Sequence, residues 1–111
     1  MSSQTGPVAQ IQELVQAGRY RIRLHAVRHM IEEGFDEDQL LEAVRGKLRV
    51  VEEYPEASRY LVLGHFDFTP KARSPLHMVC DPSKPDLVDI VTAYIPQRPW
   101  WVSPTQRGRG R

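Results

Sequence analysis

The alternation of helical and strand-like periods along this 111-residue chain predicts an α+β fold. Two to three helices pack on one face of a twisted, mainly antiparallel sheet of four to five strands. Three observations carry the expectation. Before Gly46 most apolar residues recur at helical spacing; after it the period becomes that of strands; and the later strands are joined by turns too short for parallel crossovers. The length suits a single domain with one modest core.

In order, residues 1–6 read as a disordered N-terminus and residues 7–101 as the folded domain. Pro7 suits a first helical position, Ile11, Leu14 and Val15 form an apolar stripe, and Gly18 ends the helix as a left-handed cap. Tyr20-Arg21-Ile22-Arg23-Leu24 alternates, so it is expected as an edge strand burying Tyr20, Ile22 and Leu24. The next helix stops at Gly34, with Ala26, Val27, Met30 and Ile31 assigned to its apolar side and His25, Arg28, His29 and Glu32 to its polar side. Asp36 is an N-cap and Gln39 completes a capping box, with Leu40, Leu41, Ala43 and Val44 buried and Gly46 as the stop.

Strands are then expected over 48–54, 59–66, 75–80 and 87–95, with a turn at 55–58, a loop at 67–74 and a turn at 81–86. The strand at 59–66 is apolar on both faces, as a central strand should be. Pro96 and Pro99 end the regular structure. Trp100 and Trp101 are expected to fold back on the core, and residues 102–111 form a flexible tail, rich in arginine and glycine toward its end.

Composition excludes some classes. With 41% hydrophobic and 26% charged residues, the chain has the make-up of a water-soluble globular protein. It has no apolar run of the roughly 20 residues that span a bilayer, and its start does not have the layout of a signal peptide, so a cytoplasmic setting with no membrane partner is expected. A single cysteine, Cys80, lies in an apolar run and reads as a core residue. The net charge of +1 hides an arginine-only stretch at 19–28 and an acid-only stretch at 32–42. Twelve of the fifteen cations are arginine, whose planar fork suits phosphate, so an anionic partner such as RNA is favoured.

The helix from Leu24 to Gly34 carries the clearest chemistry. His25 and His29 stand four apart, the spacing of a two-histidine metal pair. His-Ala-Val-Arg-His lacks the glutamate of the zinc-protease motif, however, and the chain has no cysteine-rich element. Neither a metal nor any other cofactor is expected.

His25-Ala26-Val27-Arg28-His29-Met30, Gly34-Phe35, Gly46, Tyr54-Pro55, Leu61-Val62-Leu63-Gly64, Pro75-Leu76-His77 and Val91-Thr92-Ala93-Tyr94-Ile95-Pro96 with Trp100 follow one another in an order that resembles the domain-of-unknown-function family 4258. The likeness covers residues 20–101. That family is similar in fold to the RelE and ParE group of bacterial toxins, which implies helices on an antiparallel sheet and an RNA-cleaving activity. The resemblance carries the family's polar positions onto His25, Arg28, His77, Thr92 and Tyr94. It also implies RNA and a small antitoxin-like protein as partners, and it accounts for neither the first helix nor the tail.

Those residue types suit metal-free RNA cleavage. The reaction needs a base for the 2′-hydroxyl proton, an acid for the leaving 5′-oxygen and a cation for the phosphorane. On this expectation His25 and His77 are the acid–base pair, Arg28 binds phosphate, and Thr92 and Tyr94, two apart on one strand, orient the substrate. His29 is read as a surface residue. The alternative is a non-catalytic binding module of the same fold that recruits a protein or nucleic-acid partner. Convergence of His25, Arg28, His77 and Tyr94 in one pocket favours the enzyme, and dispersal favours the interaction protein.

Overall fold

The computed structural model describes residues 6–97 and 100–108. Helix α1 (Pro7–Gln16) leads through a short strand β1 (Tyr20–Ile22) into helices α2 (Leu24–Glu33) and α3 (Glu37–Arg45). Strands β2 (Arg49–Tyr54), β3 (Arg59–Thr69), β4 (Ala72–Lys84) and β5 (Leu87–Tyr94) follow, and then a small hairpin of β6 (Trp101–Ser103) and β7 (Gln106–Arg107). The main sheet has the order β1-β5-β4-β3-β2. After β1 the chain crosses by its helices to the far edge, then meanders back antiparallel until β5 lies beside β1, parallel to it. The fold is α+β and the sheet mainly antiparallel, as the change of period predicts.

One face of the sheet carries the helices. Val62 and Phe66 of β3, Leu76, Met78 and Cys80 of β4, and Val88, Ile90 and Ala93 of β5 pack with Ile11 and Val15 of α1, Ala26 and Met30 of α2, and Leu40 and Val44 of α3. The alternation of strand side chains puts these residues on a common side, and the irregularity in the β4–β5 pairing at Val91 resets the phase between Ile90 and Ala93. Gly64 allows α3 to sit close: a Cβ there would lie 2.4 Å from the Ala43 carbonyl oxygen. The Asp36–Gln39 capping box forms as read, with both reciprocal bonds at 2.9 Å, and Gly18 ends α1 at a left-handed φ of 76°.

The structure corrects several boundaries. Leu24 is not a strand residue: the Arg23 amide donates to Ile90 O at 3.0 Å and closes β1, after which Val27 N–H to Arg23 O opens α2. Leu24 is accordingly 65% exposed, and Ile31, assigned to the apolar side, is 75% exposed. The loop expected at 67–74 is instead a tight turn at Pro70–Lys71 between two long strands. The turn expected at 81–86 contracts to Pro85–Asp86, because β4 absorbs Pro82 at an irregularity in its pairing with β5, where a missing N–H does not interrupt the ladder.

The segment from residue 102, expected as a flexible tail, forms the β6–β7 hairpin through Arg107. The hairpin lies on the face of the sheet away from the helices, where Trp101 meets His77. The expected disorder over residues 1–5 and the last residues of the tail lie outside the described residues, and Gly6 is the N-cap of α1. No helix is long and apolar enough to cross a membrane among the described residues.

Candidate functional site

Because β1 pairs only with Val88–Ile90, the C-terminal half of β5 has no strand on its outer side among the described residues. There a cleft of about 690 Å³ opens between α2 and the β6–β7 hairpin. His25, His29 and Glu33 line it from α2, Thr92 and Tyr94 from β5, and Trp101 and Arg107 from the hairpin.

Helix phase explains which side chains enter. The buried residues Ala26 and Met30 fix the inward direction of α2. At about 100° per residue, Glu33, His29 and His25 then fan out along one flank while Arg28 points almost directly away from the core. The two imidazoles meet edge to face with centroids 4.7 Å apart. Glu33 ties α2 to β5: its Oε1 accepts the Ile95 N–H at 2.7 Å, and its Oε2 lies 3.5 Å from His29 Nδ1, without hydrogen-bond alignment. One carboxylate thus fixes the spacing of α2 from the end of β5.

His77 stands opposite Tyr94 across the β4–β5 ladder. It is fully buried. A carbonyl can only accept, so Nε2 must donate to Pro104 O, 2.6 Å away, and Nδ1 in the neutral ring accepts from the Tyr94 hydroxyl at 3.2 Å. Burial pushes the imidazole below its ordinary pKa, which also favours the neutral form, and pushes the Tyr94 hydroxyl up. Tyr94 and Trp101 pack edge-on against the ring at 5.2 and 4.4 Å.

The hairpin that covers His77 is held by a second network. The Arg107 guanidinium lies 4.7 Å over the Trp101 ring and grips Glu52 with two bonds of 2.7 and 3.0 Å. The Tyr54 hydroxyl donates to the same carboxylate at 2.5 Å. Arg107 holds the Glu52 carboxyl below its usual range against the opposing effect of burial, and the Tyr54 hydroxyl, half-buried and facing that carboxylate, is pushed up to about 12.

Of the five residues expected at the site, His25, Thr92 and Tyr94 line the cleft, His77 lies behind Tyr94, and Arg28 is exposed and lines no part of it. The pairing of His25 with His77 on one substrate does not match this geometry, since both nitrogens of His77 are occupied inside the protein. Nor does Arg28 face a phosphate bound in the cleft. His29, read as a surface residue, is half-buried there. Phasing the helix on Ala26 and Met30 would have found it; for Arg107, no local signal exists. No group of three or more His, Cys, Asp or Glu is placed to hold a metal ion among the described residues. A second cleft of about 600 Å³ holds His65 with Lys47 and Arg49, and no second imidazole to share proton transfer.

Helices on one face of an antiparallel sheet, with paired imidazoles at the open end of its edge, define a small α+β domain with the side chains for acid–base chemistry. The chain belongs to the family described as a domain of unknown function, DUF4258, whose model matches residues 22–95. The match takes in α2 through β5, and it leaves α1 and the hairpin outside. No curated protein and no solved structure matches the chain.

Proposed function

We propose that this chain is a metal-independent endoribonuclease of the RelE/ParE-like toxin type. His25 and His29 serve as the base and acid, and Thr92 and Tyr94 orient the substrate. The observation that supports this most is the edge-to-face pair of imidazoles, 4.7 Å apart, on the wall of a cleft that also holds two hydroxyls. An imidazole with an ordinary pKa of about 6.5 can take the 2′-hydroxyl proton or return one to the leaving 5′-oxygen near neutral pH. Trp100, 53% exposed beside the cleft, offers a stacking surface for a base.

His77 has a positioning role in this reading. Its Nδ1 accepts a hydrogen bond from the Tyr94 hydroxyl, which keeps its proton and is oriented with its oxygen lone pairs free to accept from the substrate. A small antitoxin-like protein would be the partner that restrains the activity, in a cytoplasmic setting.

The test is cleavage of a structured RNA in the presence of EDTA by the parent and by a His25→Ala, His29→Ala double variant. Parent-dependent products ending in 2′,3′-cyclic phosphate are expected, with a loss of about 100-fold or more in the variant, the usual contribution of positioned acid–base catalysis. Equal cleavage by the two proteins refutes the assignment. Two observations favour the non-catalytic module: Arg28 and His77 do not converge with His25 and Tyr94 in the cleft, and Arg107, the arginine of the cleft, is committed to Glu52. That reading predicts RNA binding with no cleavage in the same assay.

A further inference from the structure

The cleft meets a second groove, of about 460 Å³, at His25, which lines both. This groove is bordered by Arg23, Arg59 and Lys84, with Asp81 and Asp89 at its base and Leu24 and Val91 as its apolar part. Its ion pairs are unequal. Asp89, with a side chain 9% exposed, is bonded by Arg21 at 2.7 and 3.2 Å. Arg23 and Lys84 stand off the same carboxylate at 3.9 and 3.7 Å, and both side chains are more than half exposed. Arg59 lies 3.9 Å from Asp81, which already accepts the Ser83 amide at 2.9 Å. The Arg59 Nε is shielded from solvent and has no hydrogen-bond partner among the described residues.

Ion pairs this long and this exposed add little to stability, so they do not commit Arg23, Arg59 and Lys84 to the fold. Among the described residues Arg23, Lys84 and the exposed end of Arg59 thus keep donors uncommitted along one groove, and the cluster of four cations and two carboxylates carries a net positive charge. The neighbouring cleft needs that charge, because its own arginine is neutralised by Glu52.

We propose that the groove of Arg23, Arg59 and Lys84 binds the phosphodiester backbone of single-stranded RNA and leads it to His25. The spare guanidinium and ammonium donors face phosphate oxygens, while Leu24 and Val91 lie against sugars and bases. The inference rests on the nuclease reading for what happens at His25, but binding in the groove is measured separately from cleavage.

The experiment follows fluorescence anisotropy of a labelled oligonucleotide of about twelve 2′-O-methyl nucleotides, which cannot be cleaved, across a salt series. Parent and Arg23→Gln, Lys84→Gln proteins are compared; Arg21→Gln serves as a control for loss of the Asp89 pair, and thermal melts check the fold. Each lost phosphate contact flattens the plot of log K against log salt by about 0.7 for a single strand, so the double variant should be about 1.4 less steep. At 0.1 M salt that corresponds to binding about 25-fold weaker, if the two proteins converge near 1 M. An unchanged slope in a folded double variant overturns the proposal. So does displacement of the RNA by an oligoglutamate of equal charge, which would assign the groove to an acidic protein. A parent that binds through the groove yet leaves ordinary RNA intact supports the groove and refutes the nuclease reading; a parent that cleaves with no groove-dependent slope does the reverse.

Discussion

Replacing His77 by phenylalanine tests the part of the site that lies out of reach of substrate. The ring keeps its edge contacts with Trp101 and Tyr94, but the bonds to Pro104 O and the Tyr94 hydroxyl are lost. A neutral hydrogen bond contributes about 0.5–1.5 kcal/mol net, and both abandoned groups are half-buried, so water can reach them in part. A loss of about 2 kcal/mol is expected in urea unfolding at pH 7.5, or about 10 °C in Tm for a domain of this size. The pH dependence has a definite sign. The folded pKa of His77 lies below its ordinary value, so the unfolded chain binds the proton more readily. Its effect on stability is nil well above pH 6.5, and the protein weakens as pH falls through about 6.5 toward the folded pKa. The parent should therefore lose more stability than His77→Phe between pH 7.5 and pH 5.5. Equal losses over that interval, or a cost below about 0.5 kcal/mol at pH 7.5, would refute the buried, doubly bonded neutral imidazole.

Gly64→Ala brings a methyl within 2.4 Å of backbone at Ala43, and thermal melting should show a loss of about 3 kcal/mol or failure to fold, at the upper end of overpacking costs. Glu52→Gln removes the charge that holds Arg107; because the Arg107 side chain is 56% exposed, a loss of only about 1 kcal/mol is expected in urea unfolding followed by tryptophan fluorescence. The depressed Glu52 carboxyl adds stability that is present above its ordinary pKa and lost as pH falls through the folded value, so the gap between parent and Glu52→Gln should narrow in acid. Cys80 is fully buried and its thiol is pushed up to about 12, so a thiol reagent at pH 8 should label it only at the rate of unfolding, and rapid labelling of the native protein would contradict the burial.

The parts of the fold set by neighbours in sequence were legible. Helix α3 shows this: its cap and box depend on Asp36 and Gln39, its stop on Gly46, and its four expected core residues are all buried. Strand lengths were less so. Pro70, Lys71 and Arg73 read as a loop because proline and charge are the usual loop composition, but only Pro70–Lys71 turns, and the strands run to it on pairings such as Asp67 with Arg73. The hairpin was not legible at all. Pro104, glycine and arginine suggest an unstructured end, and what holds the segment is the bond between Arg107 and Glu52, 55 residues earlier, together with Trp101 on His77.

The same dependence on distant contacts explains the site. That His77 would reach Tyr94 could be read from the short turn between their strands, and the two are direct partners in the ladder. That the imidazole would be closed off from substrate could not, because the lid over it is the hairpin. On α2 the residue types point to acid–base chemistry, but an apolar set that includes Ile31 is too broad: Ile31 lies about 140° round the helix from Ala26, too far to share its face. A set that includes it shifts the apolar centre by about 50°, which groups His25, Arg28, His29 and Glu32 as one polar face and leaves Glu33 out. With Ala26 and Met30 alone as the anchor, the flank becomes His25, His29 and Glu33, the three side chains that line the cleft. The proposed chemistry therefore depends on the phase of one helix, and His29, four residues from His25 and brought beside it by that phase, is where the reading is most exposed to a single substitution.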